Sequence, residues 1–130
     1  MIAIDTNILV RLITRDDRAQ AKRAAALFEL EEIFVAKTVL LETEWVLRFS
    51  YELKKPIILR ALKNAVGLPH VTVEDSAAVA EALDLFEIGM DFADALHLAS
   101  GRSALQFATF DEHLTKHADA SAPSRHVVLA

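Results

Sequence analysis

Five short runs rich in apolar residues recur along the chain, at Ile2–Ile4, Ile33–Ala36, Val71–Val73, Leu105–Thr109 and Val127–Leu129. Each is too short for a buried helix, and the intervals between them carry helical periodicity rather than hairpin turns. Strands alternating with helices imply a parallel sheet covered on both faces. The expected architecture is therefore α/β, a three-layer α/β/α sandwich around a central, mostly parallel sheet of four to five strands.

The intervening stretches set the expected helices. Ile8, Leu9, Leu12 and Ile13 recur at helical spacing after Asn7. Asp16-Asp17 reads as an N-cap and first turn for an alanine-rich helix from Arg18 to Glu31. Thr38 is expected to cap a helix running to about Lys54 and apolar on more than one side. Pro56 suits a helix start, and the helix over Ile57–Val66 is stopped by Gly67 and Pro69. Further helices are expected from Glu74 to Glu87, from Asp91 to about Gly101, and briefly from Asp111.

Four carboxylates fall where this architecture places ligands, at strand C-termini and in the first turns of following helices. Asp5 ends the first strand, Asp111 follows Ala108-Thr109-Phe110, Asp94 lies three residues after Asp91, and Glu42 lies early in the helix after strand two. Asp is also among the best N-cap residues, so Asp5 and Asp111 are equally read as caps. Asp91 and Asp94 have the spacing of a cap and its partner. Glu42 sits beside Leu41 and Trp45 in an apolar helix, where a buried unpaired carboxylate would be costly. Glu44, two positions on, points roughly the opposite way, so only one of the two is expected to face a site.

Clustered acids need a counter-charge. With no cysteine and few histidines nearby, hard oxygen ligands point to Mg2+ or Mn2+ rather than Zn2+. Such an ion could activate water and stabilise an in-line phosphodiester displacement. Thr6, Asn7 and Thr109 flank the acids and could orient a water or simply cap. His97 reads as a packed helix histidine three residues from Asp94. His113 and His117 read as an exposed pair, because HLTKH lacks the glutamate of a zinc-protease helix. His70 and His126 stand alone.

Charge and composition limit the partners. The net charge of −5 disfavours a general nucleic-acid coating protein. Residues 37–63 nevertheless hold six bases against three acids, whereas residues 64–130 hold three bases against ten acids. The basic segment could steer a polyanion towards an acidic pocket, or be a solvated helix face. Arg11 and Arg15 are candidates for phosphate contact on the same terms. With 130 residues, 53% of them hydrophobic, and few Gly or Pro, the chain suits one domain spanning 1–130. The absence of cysteine, of a signal-like N-terminus and of a long apolar run leads to the expectation of a cytoplasmic protein with no membrane partner.

Four motifs carry a resemblance: IDTNILVR (4–11), VLLETEWVLR (39–48), GMDFADALHLAS (89–100) and ATFDEHL (108–114). In this order, across nearly the whole chain, they resemble PIN-domain nucleases, most closely the VapC-type toxins of prokaryotic toxin–antitoxin pairs. The resemblance implies that Asp5, Glu42, Asp94 and Asp111 are the catalytic, metal-binding acids, supported by Thr6, Asn7 and Thr109. Asp91 then becomes a capping partner, and Glu44 falls outside the set. It further implies Mg2+- or Mn2+-dependent hydrolysis of RNA, with tRNA or ribosomal RNA as targets, and a homodimer. A cognate VapB-like antitoxin would silence it through a tail entering the acidic groove.

Two other function classes are compatible with the residues alone. One is a phosphohydrolase using Asp5 as nucleophile, against which Asn7 stands where a second aspartate is usual. The other is a non-enzymatic module whose acidic groove receives a basic partner tail.

Overall fold

The computed structural model describes residues 1–121 and 126–130, and the side chains of 117 and 119–121 lie outside what it describes. Within these limits the chain is α/β, with five strands in parallel pairings alternating with seven helices. The chain divides into two compact units, Met1–Ser76 and Ala77–Ala130.

The first unit is built on β1 (Ile2–Ala3), β2 (Ile33–Val35) and β3 (Val71–Val73), paired in that order and all parallel. Ile2 faces Ile33 across the ladder, and Ile33 faces Val71. Parallel pairing puts the three strand C-termini on one edge, where Asp5, Lys37 and Glu74 follow their strands. Helix α1 (Thr6–Thr14) packs on α2 (Arg18–Leu30) and α3 (Lys37–Phe49), and α4 (Lys55–Val66) packs on α3 and β3. Leu9, Ile33, Leu47 and Leu62 are completely buried and mark the centre of this core. The alanine face of α2 behaves as its spacing requires, with Ala21, Ala24 and Phe28 turned inward.

The second unit comprises all but the first residue of α5 (Ser76–Glu87), with α6 (Phe92–Ser100), β4 (Phe107–Thr109), α7 (Glu112–Ser121) and β5 (Val127–Leu129). Strand β4 pairs with β5 in parallel, Phe107 opposite Val127. Phe92, fully buried, meets Phe86 with ring centroids 5.3 Å apart, which joins the start of α6 to the end of α5.

The ladders group as a three-stranded set, β1–β2–β3, and a two-stranded set, β4–β5, every pairing parallel as expected. Several local expectations need correction. Strand β1 lasts only two residues, and the Ile4 N–H beyond it still bonds to the Phe34 carbonyl at 3.3 Å. Ile2 and Ala3 are exposed on this edge strand, and Ile4 is the residue that turns inward. Thr38 does not cap α3; the helix begins two residues earlier than such a cap implies, at Lys37, with Ala36 extended at its N-cap position. That helix stops at Phe49, not near Lys54, because Glu52 takes a left-handed conformation and Leu53 N–H returns to the Leu47 carbonyl at 3.0 Å. His70 Nδ1 lies within hydrogen-bonding distance of Glu32 Oε1, at 3.1 Å, rather than standing alone.

Candidate functional site

In the first unit the path begins with β1, which delivers Asp5 in an extended conformation to the N-cap of α1. Its Oδ1 accepts the Ile8 N–H at 3.2 Å. This satisfies one of the orphan donors of the helix start. Among the described residues Oδ2 takes no hydrogen bond, so one carboxylate oxygen caps and the other remains for a ligand. A cavity of about 500 Å3 lies at this tip, lined by Asp5, Thr6, Asn7, Thr38, Val39, Glu42 and Val46. Two predicted acids and two predicted supporting residues thus share one cavity wall. No basic side chain is among its lining residues.

The glutamates of α3 divide differently from the reasoning that singled out Glu42. Glu42 is exposed, not buried among apolar neighbours, and it is Glu44 that is 2% exposed. Helical geometry explains this, since residues two apart lie on different faces. Arg48, one turn on from Glu44, donates from Nη2 to Oε1 at 3.1 Å. Its Nε lies 2.9 Å from Oε2, as an ion pair outside hydrogen-bond alignment. Glu42 remains the acid that faces the cavity.

In the second unit Asp91 caps α6, its Oδ2 accepting the Asp94 N–H at 3.3 Å. Asp94 is therefore the acid of this pair whose carboxylate is spared from capping. Partial burial raises its carboxyl above the ordinary range, and the charges of Asp91 and Asp111 push it further up. His97 and His113 oppose the shift. His97 is exposed rather than packed. Asp111 caps α7, with Oδ1 accepting from His113 N–H at 2.9 Å and Leu114 N–H at 3.2 Å. Thr109 supports it directly, its Oγ1 accepting the Asp111 N–H at 3.0 Å. The side chain of His117 lies outside the described residues, so the His113–His117 pairing does too.

The two arginines proposed for phosphate contact part ways. Arg11 is held internally, by Gln20 at 2.7 Å, Asp16 at 3.3 Å and the Tyr51 hydroxyl at 3.0 Å. Arg15 is exposed, left-handed at φ 55°, and lines a second cavity of about 640 Å3 together with Leu12, Ile57, Arg60 and Leu68.

Thr38 was not singled out for the site, yet it lines the first cavity four residues before Glu42 on the same helix face. That spacing was the available signal. Glu74 and Lys37 were missed as well: Glu74 Oε1 accepts the Lys37 N–H at 2.9 Å and fixes the start of α3. Only the register of β2 with β3 brings them together.

The PIN-domain family model matches residues 2–120, a span that includes all four predicted acids. The chain belongs to the PIN-domain family. PIN domains are generally nucleases that use divalent metals. No curated protein matches the chain. In this PIN domain no three metal-ligating side chains converge among the described residues. The donor chemistry still fits Mg2+ or Mn2+, because every candidate ligand is a hard carboxylate oxygen; the Asp94 carboxyl is raised by partial burial first and then by Asp91 and Asp111. No helix among the described residues is long and apolar enough to cross a membrane.

Proposed function

We propose that this PIN domain, acting as one domain over residues 1–130, is the toxin of a type II toxin–antitoxin pair and a metal-dependent ribonuclease. Its substrates are of the tRNA or ribosomal RNA class. The observation that carries the reading is the cavity on which Asp5 and Glu42 both open with no basic side chain lining it. Two carboxylates in that setting favour a cation from solution. Asp5, Glu42, Asp94 and Asp111 would hold it, as the family motifs imply. When bound, Mg2+ or Mn2+ supplies Lewis-acid stabilisation of charge developing on the scissile phosphate.

The chain's own residues supply position. The Ile8 N–H holds Asp5, Asp91 frees Asp94 by taking the capping role, and Thr109 orients the turn that carries Asp111. Thr6 and Asn7 stand on the cavity wall as donors for substrate or water. Arg15, exposed, is the better placed of the two arginines for a phosphate. In this reading the protein works as a homodimer and is silenced by a VapB-like antitoxin whose basic tail engages the acids.

The test is cleavage of total cellular RNA by the purified, partner-free protein. Cleavage is expected with Mn2+ or Mg2+, and is expected to vanish in EDTA and in Asp94→Asn. Intact RNA under every metal condition would overturn the ribonuclease reading in favour of a module whose acids only bind a basic partner.

A further inference from the structure

We propose that Trp45, Phe49 and Arg48 form a stacking platform for an unpaired base of single-stranded RNA, on the same face of α3 as Glu42. The inference rests on the ribonuclease reading and names the form of RNA that reaches the cavity. Thr38, Glu42, Trp45 and Phe49 follow one another at four-, three- and four-residue steps, which places them along one helix face. Thr38 and Glu42 line the acidic cavity. Trp45 and Phe49 lie one and two turns further on.

Both rings are open to solvent, Trp45 at 54% and Phe49 at 56%. Trp45 is the chain's single tryptophan. Together the two rings present neighbouring aromatic faces to solvent. The rings lie 5.1 Å apart, and the Arg48 guanidinium sits 4.6 Å from the Phe49 centroid. Buried Glu44 holds that guanidinium through both oxygens. Burying a carboxylate costs several kcal/mol unless it is well paired. Here the pairing fixes a planar cation over a ring before any ligand arrives.

Aromatic faces interleaved with arginine are how proteins take unpaired bases, since every base offers a π-face. The positive charge carried by the neighbouring helix suits the phosphates of such a strand. Exposed Lys54, Lys55, Arg60 and Lys63 follow α3 in sequence, on or just before α4, which packs on α3.

The test uses a single-stranded oligoadenylate of about ten nucleotides, added to the full chain in EDTA so that nothing is cut. Fluorescence of Trp45 is expected to be quenched on binding. Trp45→Leu and Phe49→Leu, which keep apolar area but lose the π-face, are expected to bind about tenfold more weakly. Trp45→Phe is expected to recover most of the loss, and a duplex of the same length to leave Trp45 unquenched. Undiminished binding by both leucine variants overturns the platform. So does an unquenched wild type whose sedimenting mass falls on Trp45→Asp, which assigns the face to a second copy. Metal-dependent cleavage with an unchanged KM in Trp45→Leu removes the platform and leaves the ribonuclease reading standing. Quenching by the oligonucleotide without cleavage of any RNA does the reverse.

Discussion

Glu74 Oε1 accepts the backbone N–H of Lys37 at 2.9 Å, so the tip of β3 caps the helix that begins at the tip of β2. The Lys37 ammonium adds an ion pair to Asp75 at 3.3 Å, where Asp75 takes a left-handed turn. Helix α3 has no cap from its own N-cap side chain, because that residue is Ala36. A helix start without a cap loses about 1 kcal/mol. Glu74→Ala is therefore expected to lower stability by about 1 kcal/mol in urea unfolding. Thr38→Ala is expected to change it little. A larger loss from Thr38→Ala would return the capping role to Thr38.

The Glu44–Arg48 pair predicts an asymmetry. Glu44 is buried, whereas the Arg48 side chain is 41% exposed. Arg48→Ala removes the guanidinium paired with a buried carboxylate and is expected to cost about 3–5 kcal/mol, the usual penalty for breaking a buried pair from one side. Glu44→Ala leaves a guanidinium that water can reach, so it is expected to cost distinctly less. Denaturant unfolding of the two variants and the double mutant measures the difference. Equal losses would mean that Arg48 is not the partner that makes burial of Glu44 tolerable.

The strands and helix starts were legible because local chemistry decides them. Asp17, Asp91 and Gly67 cap or stop helices at the positions their residue types predict, and Val71–Val73 and Val127–Leu129 are strands at the predicted residues. Asp5 resolves an ambiguity that sequence could not, since it both caps α1 and lines the cavity. What sequence could not supply was any relation set by register. The Glu74 cap lies across the sheet edge, and the face of α3 that points inward depends on what packs against it. Glu42 is exposed and Glu44 buried for that reason. The early end of α3 had the same origin, because nothing local to Ser50–Leu53 announces the left-handed Glu52.

Tyr51 ties the loop after α3 to the end of α1. Its hydroxyl donates to Asp16 Oδ2 at 2.6 Å and accepts from Arg11. The Tyr51 hydrogen bond holds the Asp16 carboxyl below its ordinary range, with Thr14 and Arg11 assisting. A depressed carboxyl contributes stability that is complete above its unfolded value and is lost as pH falls through the folded one. Tyr51→Phe is therefore expected to lower the melting temperature at neutral pH, with the deficit shrinking in acid below the usual carboxylate range. Thermal melts from pH 7 downwards check this. A deficit that stays constant to the lowest pH would assign the loss to packing rather than to Asp16.

Asp94 carries the opposite sign. Its carboxyl is raised by partial burial, then by Asp91 and Asp111. A group whose folded pKa lies above its unfolded value contributes stability that is fully present below the unfolded value and lost as pH rises through the folded one. In the metal-free protein at neutral pH, ionised Asp94 thus opposes folding. Asp94→Asn removes that charge without removing the side chain, and is expected to raise the melting temperature in EDTA at pH 7. The advantage should close as pH falls through the carboxylate range, where the wild-type group is itself neutral. Mn2+ should reverse the order, stabilising the wild type by mass action and the variant much less. Calorimetry in EDTA and in Mn2+ across this pH range reads both effects. A variant less stable than wild type in EDTA at neutral pH would mean that Asp94 is held as a favourable charge of the α6 first turn, with no strain left for a metal to relieve.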